Sequence, residues 1–256
     1  MLVLCYGIPK SGSTLAFELV KGMLVDSGFE QEVLWNDRRD PAQMQPGRAR
    51  NFIEGISCQK ISHILEAIGP ARKIAVKTHS GFPDELFGHL EDLQRRHELQ
   101  VIASYRDPRD ICLSLVDQAR KARLKGKPAF SAIAGLDQAA ANIRRRIREF
   151  RKWASLKGSL RLGYDTVAFS PDEAIDVLEK TLGLACNRVE VKRYAYEQAY
   201  TLKNKAQRDR HKEELSDEEG RQLAEIFREF LERVLRADDQ RWFDEYRQRM
   251  LAAQDV

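Results

Sequence analysis

Apolar residues fall at two spacings along this chain. Leu2–Tyr6 is a short continuous apolar run and reads as a buried strand. Gly7–Ser13 is rich in glycine and serine and reads as a loop. From Thr14 to Ser27 apolar residues recur at helical spacing: Leu15, Leu19 and Met23, and beside them Phe17, Val20 and Leu24. Lys73–Val76 predicts a second strand, followed by a loop over Lys77–Pro83. Leu99–Tyr105 predicts a third strand, and Pro108 opens a helix to about Arg123, its missing N–H harmless in the first turn. Lys125–Ser131 (KGKPAFS) reads as a connection, and Leu136–Leu156 as a long helix. Leu160–Tyr164 is a fourth strand, and Pro171–Leu182 a helix starting near a Ser170 cap. The last quarter is helical and charge-rich, with Ser216 capping a helix over Asp217–Arg236 and Glu219 completing a capping box.

Short buried strands alternating with helices predict an α/β fold. One domain over residues 1–256 holds a central parallel sheet flanked on both faces by helices. Ligands of such sheets bind at the carboxyl ends of strands. Three polar clusters follow three of the strands: Gly7–Thr14, Lys77–Ser80 and Arg106–Ser114. The topology brings them to one edge.

The first cluster, GIPKSGST, carries the strongest chemical signal. A strand enters, glycines open the loop and a helix leaves, so backbone N–H groups and the helix N-terminus converge on an anion. Ser11, Ser13 and Thr14 add hydroxyl donors. The pattern approaches the nucleoside-triphosphate loop G-x-x-x-x-G-K-[ST] but departs from it: Ser13 stands where lysine is expected, and the lysine is Lys10, mid-loop. No strand ends in an acid placed to hold magnesium; the third ends Tyr105-Arg106.

Composition changes this picture little. Lys and Arg number 43 against 39 Asp and Glu, a mild excess that suits an anionic ligand without requiring nucleic acid. Cys5, Cys58, Cys112 and Cys186 form no C-x-x-C pair, which argues against a zinc site, and Cys5 and Cys112 read as small buried hydrophobes. The opening apolar run breaks at Gly7 and Pro9, too short for a secretory signal, and no stretch approaches the roughly 20 apolar residues of a membrane span. The expectation is a reduced, cytoplasmic protein.

With these residues in view, the chain resembles the sulfotransferases that use 3′-phosphoadenosine 5′-phosphosulfate (PAPS). Pro9–Thr14 (PKSGST) is similar to that family's 5′-phosphosulfate loop. Ser104–Leu115 (SYRDPRDICLSL) is similar to its 3′-phosphate segment, with Arg106 and Ser114 as the phosphate ligands. Val76–His79 (VKTH) resembles the Lys-Thr-His segment whose histidine is the catalytic base, and Tyr164 resembles a tyrosine that helps hold adenine. Where cytosolic members carry a basic Arg-Lys-Gly stretch before a Trp-Lys pair, this chain reads NKAQRDRHKEELS, offering Lys205 and Arg208 or Arg210 without the glycine or tryptophan. The resemblance implies a P-loop-like nucleotide fold and PAPS as co-substrate. It further implies adenosine 3′,5′-bisphosphate (PAP) as product, no metal, and a small-molecule or glycan acceptor.

Sulfuryl transfer needs in-line alignment and stabilisation of charge on the departing phosphate. Lys10 is the candidate for that charge, assisted by the Ser11–Thr14 amides. His79 is the candidate base, since an imidazole can accept a hydroxyl proton near neutral pH. Lys77, two residues earlier, would share its side of a continued strand and contact the transferring group. The basic run Arg144–Lys152 reads as a solvated helix face or as a collector of an anionic acceptor, and Arg109 as solvated. Trp35, Trp153, Trp242, Tyr194, Tyr196 and Tyr200 read first as packing residues and second as acceptor-pocket residues. Two other functions compete: a P-loop kinase for a nucleoside or small metabolite, and a non-catalytic nucleotide- or RNA-binding module. The residue after Gly12 and the strand ends disfavour the first. The second lacks an aromatic stacking platform.

Overall fold

A computed structural model describes residues 1–32, 34, 51–126, 130–199 and 205–253. Trp35, Tyr200 and residues 127–129 of the Lys125–Ser131 connection lie outside them. The first strand, β1 (Leu2–Gly7), leads through the loop into α1 (Ser13–Asp26). Then come β2 (Phe52–Ile53), α2 (Cys58–Ile68), β3 (Ile74–Thr78), α3 (Phe87–Arg95) and β4 (Leu99–Tyr105). Next are α4 (Pro108–Leu124), α5 (Leu136–Ala154), β5 (Leu160–Gly163), α6 (Tyr164–Phe169), α7 (Pro171–Leu182) and α8 (Arg188–Lys192). The chain continues with α9 (Arg210–Glu214), α10 (Asp217–Ile226), α11 (Arg228–Phe230) and α12 (Gln240–Ala252).

The five strands are parallel, in the order β2-β3-β1-β4-β5. Successive β1 side chains point to opposite faces. Leu2, Leu4 and Tyr6 join a core with α2, α3, α4, α5 and the C-terminal helices. Val3 and Cys5 join a second core with α1, α6, α7 and α8. Both faces are therefore covered, which explains why β1 is apolar throughout. Burial pushes the Cys5 and Cys112 thiols up to about 12, so both are inert packing groups. Trp153 and Trp242 are buried in the first core. No described helix is long and apolar enough to cross a membrane.

Several boundaries differ from the sequence expectation. The second predicted strand runs on to Thr78, so Lys77 lies on β3 rather than in the loop. A buried lysine ends the apolar pattern but not the ladder, since Cys5 and Tyr6 continue to pair with Lys77 and Thr78. Tyr164 opens α6 instead of closing β5. Ser170 makes no side-chain cap; Pro171 alone sets the start of α7. Ser216 and Glu219 do form a reciprocal capping box. The helix they start stops at Ile226, and the chain turns through α11 into a π-helical turn over Leu231–Arg236. Phe227, Phe230, Leu231 and Val234, at the i, i+3, i+4 and i+7 positions of one face, all bury there. β2 was not expected, because two residues carry no readable alternation.

Candidate active site

The loop after β1 is built by close approach. A Cβ at Gly7 would lie 2.2 Å from that of Ser13, so strand end and helix start touch. Gly12 has φ +78°, and a Cβ there would meet the Tyr164 ring at 2.6 Å. Both constraints demand glycine. Lys10 also takes a left-handed conformation (φ 73°), at a cost of about 1–2 kcal/mol that the rest of the turn must hold in place. The Ser11 N–H donates to the Ile8 carbonyl at 3.0 Å, and its hydroxyl to the Ser104 carbonyl at 3.3 Å. Ser11 thus ties the loop to β4. Pro9 is buried, as is Ser13. Gly12 caps α1 without a side-chain acceptor, which leaves the first-turn amides for an anion.

Two lysines and a histidine border this loop. Lys77, buried at the carboxyl end of β3, donates to the Thr14 hydroxyl at 2.6 Å. The Lys10 ammonium reaches Gln118 on α4 at 3.3 Å. Burial, and then the charge of Lys121, push its pKa down, so an anion beside it would be welcomed. His79 follows β3 and its Nδ1 lies 2.6 Å from the Gly7 carbonyl oxygen. A carbonyl only accepts, so Nδ1 carries the proton, and in the neutral ring Nε2 is the basic nitrogen.

The second cluster forms a buried network. Arg106, just past β4, donates to Asp110 at 3.0 Å and to the Gln207 carbonyl at 2.8 Å, and its guanidinium stacks 4.0 Å over the Tyr164 ring. Its Nε is buried without a hydrogen-bond partner. Asp110 also accepts from the backbone and Nδ1 of His211, at 2.9 and 2.8 Å. Burial works to raise its pKa, but these bonds and the charge of Arg106 prevail and hold it low. Ser114 is buried two turns into α4. Arg109 is not simply solvated: it pairs with Asp107 at 2.7 Å.

The downstream basic residues divide. Arg208 stacks 4.5 Å over Phe169, whose ring meets Tyr164 edge-on at 5.7 Å, so it joins the Tyr164 side of the site. Lys205 is half-exposed and pairs with Glu214 at 2.8 Å. Arg210 is buried between Asp117 and Glu214, where it docks α9 on α4. The sequence offered Asp107 or Asp110 as a surface partner for Arg106; the partner is Asp110, and the pair is buried rather than at the surface. Nothing in the sequence indicated His211 or Gln118 as site partners.

The basic run on α5 is not a uniformly wet face. Arg144, Arg145 and Arg148 are exposed. Arg146 donates to the His79 carbonyl at 2.7 Å, Lys152 to the Phe82 carbonyl at 2.7 Å, and Arg151 to the Trp242 carbonyl while stacking on its ring. Tyr194 bonds Glu18 at 2.9 Å and Tyr196 bonds the Val167 carbonyl, both as packing residues.

A parallel sheet with a glycine-built loop after its central strand is a P-loop-like α/β fold. Solved structures narrow it. The chain superimposes on mouse sulfotransferase SULT7A1 complexed with PAP with a TM-score of 0.57 and 14% identity, covering 95% of this chain and 88% of that one. Retinol dehydratase with androsterone and the inactive cofactor PAP gives 0.56 and 14%, over 90% and 80% of the two chains. Its complex with retinol and PAP gives 0.50 and 14%, over 90% and 81%. At such identity the likeness is one of fold, and the fold is that of these PAP-complexed structures, SULT7A1 sulfotransferase among them. No family model and no curated protein sequence matches the chain.

Proposed function

We propose that the protein is a PAPS-dependent sulfotransferase that moves a sulfuryl group to a hydroxyl or amine of a small-molecule or glycan acceptor. The observation that carries this reading is the meeting, at the carboxyl ends of β1, β3 and β4, of an uncapped helix start, two lysines and a tautomer-fixed histidine. The Arg106–Tyr164 stack lies alongside. The residues fit the nucleotide. The glycine-built loop lets backbone approach a phosphate, and the unpartnered Arg106 Nε is a buried donor lacking an acceptor.

Bound PAPS supplies the activated sulfuryl group. Pro9 stiffens the loop, Gly12 permits close approach, and the Ser13 and Thr14 amides with Lys10 bind the 5′ end. Arg106 and Ser114 take the 3′-phosphate, Tyr164 lies against adenine, and Arg208 and Lys205 add positive charge. His79 Nε2 accepts the acceptor proton as the new S–O bond (S–N for an amine) forms; Lys10 and Lys77 stabilise the charge left when the old S–O bond to phosphate breaks. The enzyme works in the cytoplasm in this reading, where its four thiols stay reduced.

Calorimetry with PAP, ATP–Mg and RNA tests the reading, together with transfer of labelled sulfate from PAPS in EDTA. Tight PAP binding and turnover that survives chelation are expected. Preference for ATP–Mg with activity restored by magnesium would make it a kinase; RNA binding alone would make it a binding module.

A further inference from the structure

The loop that carries His79 is held by one face of α5. Arg146 Nη1 donates to the His79 carbonyl at 2.7 Å, Trp153 Nε1 to the Ser80 carbonyl at 3.0 Å, and Lys152 Nζ to the Phe82 carbonyl at 2.7 Å. Three side chains within two turns thus fix three carbonyls of a four-residue loop. From the other side, the Ser80 N–H donates to the Thr78 hydroxyl at 3.0 Å, and the Ser80 hydroxyl accepts the Gly55 N–H at 3.0 Å.

The arrangement closes on itself. Tyr6, fully buried at the end of β1, donates to the Arg146 carbonyl at 3.2 Å and stacks on Trp153. Gly7, the next residue, accepts from His79 Nδ1. Arg146 returns to the His79 carbonyl. The circuit runs Tyr6, Arg146, His79, Gly7 and back along one peptide bond. Burial pushes the Tyr6 phenol well above its ordinary value, so it remains a donor at any working pH. A ring of this kind fixes both the position of the imidazole and the nitrogen that bears its proton.

We propose that Arg146 is a positioning residue for the base, acting through His79, and that the basic run on α5 serves this purpose where it turns inward. The proposal rests on the sulfotransferase reading for its kinetic part, but not for its structural part. A guanidinium suits the task because it stays charged and offers several donors in a fixed plane.

Arg146→Met keeps an unbranched apolar stem and removes the donors; Arg146→Lys keeps a donor. Arg146→Met is expected to lower kcat about 10- to 100-fold, the scale of a misplaced catalytic group, with PAP affinity unchanged. Arg146→Lys should recover most of that loss. In a His79→Ala background Arg146→Met should cost nothing further, since its effect passes through the missing ring. Imidazole ¹⁵N signals, recorded with the ring neutral, should show Nδ1 protonated in the wild type and a tautomer mixture in Arg146→Met. The same fold-loss in both backgrounds, or an unchanged tautomer, would overturn the proposal. If Arg146→Met does not fold, Arg146→Gln and Arg146→Lys take the same measurements. A wild type that binds PAP but transfers no sulfuryl group would sink the functional reading alone, because the ¹⁵N comparison still decides the role of Arg146.

Discussion

Two residues carry separable predictions about chemistry and recognition. His79 faces the loop with one nitrogen occupied by Gly7. Replacing it with alanine removes the proposed base without touching the Arg106 network. Turnover should fall about 10²–10⁴-fold while PAP affinity holds; full activity in the mutant would remove His79 from the mechanism. Arg106→Ala tests the proposed nucleotide contact. It should weaken PAP by roughly 30- to 1000-fold, from a loss on the order of 2–4 kcal/mol for a buried charge-assisted contact. Adenosine 5′-monophosphate, lacking the 3′ group, should lose little. The same mutation leaves Asp110 buried with only His211, so it also lowers the melting temperature. The difference between the two ligands separates recognition from folding: equal weakening would mean that Arg106 holds the adenosine or the fold. These candidates could be picked out because Lys10, His79 and Arg106 each follow an apolar run within a short motif. Their partners could not be. Gln118 lies 108 residues from Lys10, Arg146 67 from His79, and Gln207 101 from Arg106. Periodicity reports that a position is buried, not which distant residue it meets.

Among the elements, α9 shows how the C-terminal region is latched to α4. Arg210 ion-pairs with Asp117 on α4 and with Glu214 one turn on. Its hydrogen bond, and that of Lys205, lower the Glu214 carboxyl from 4.5 to about 2. A depressed carboxyl stabilises the fold above its unfolded value and loses that contribution as pH falls from about 4.5 toward 2. Glu214 remains a quarter exposed, so solvent screens part of the effect. Glu214→Gln should lower stability at neutral pH by about 1–2 kcal/mol and shrink the wild-type advantage to nothing by pH 2. Melting curves that stay equally separated from pH 7 to pH 2 would show that the pair is not the latch. Element legibility followed length. β4 and α7 match their expected bounds, since each carries a full period of apolar residues between clear stops. The two-residue β2 and the π-helical turn after α11 answer to packing from other parts of the chain.

For the whole molecule, the decisive fact is that β1 lies in the middle of the sheet. The site exists only when β3 and β4 flank it, because each brings one of the polar clusters to the loop after β1. Two cores, one on each face, depend on the same strand. The parallel sheet was legible from alternating strands and helices; the strand order was not, since parallel pairing leaves no local mark. This placement has a consequence during synthesis. The ribosome makes LVLCY long before Leu99–Tyr105, its neighbour on one side, and translation needs about 5–20 s to cover that interval. For that time this apolar strand lacks its β4 partner, and until Ile74–Thr78 is made it lacks β3 as well, so it must be shielded by α1 or by a chaperone. A nascent chain stalled before Leu99 should therefore be held by chaperones and expose this strand to protease, and release should come only once the β4 segment has left the tunnel.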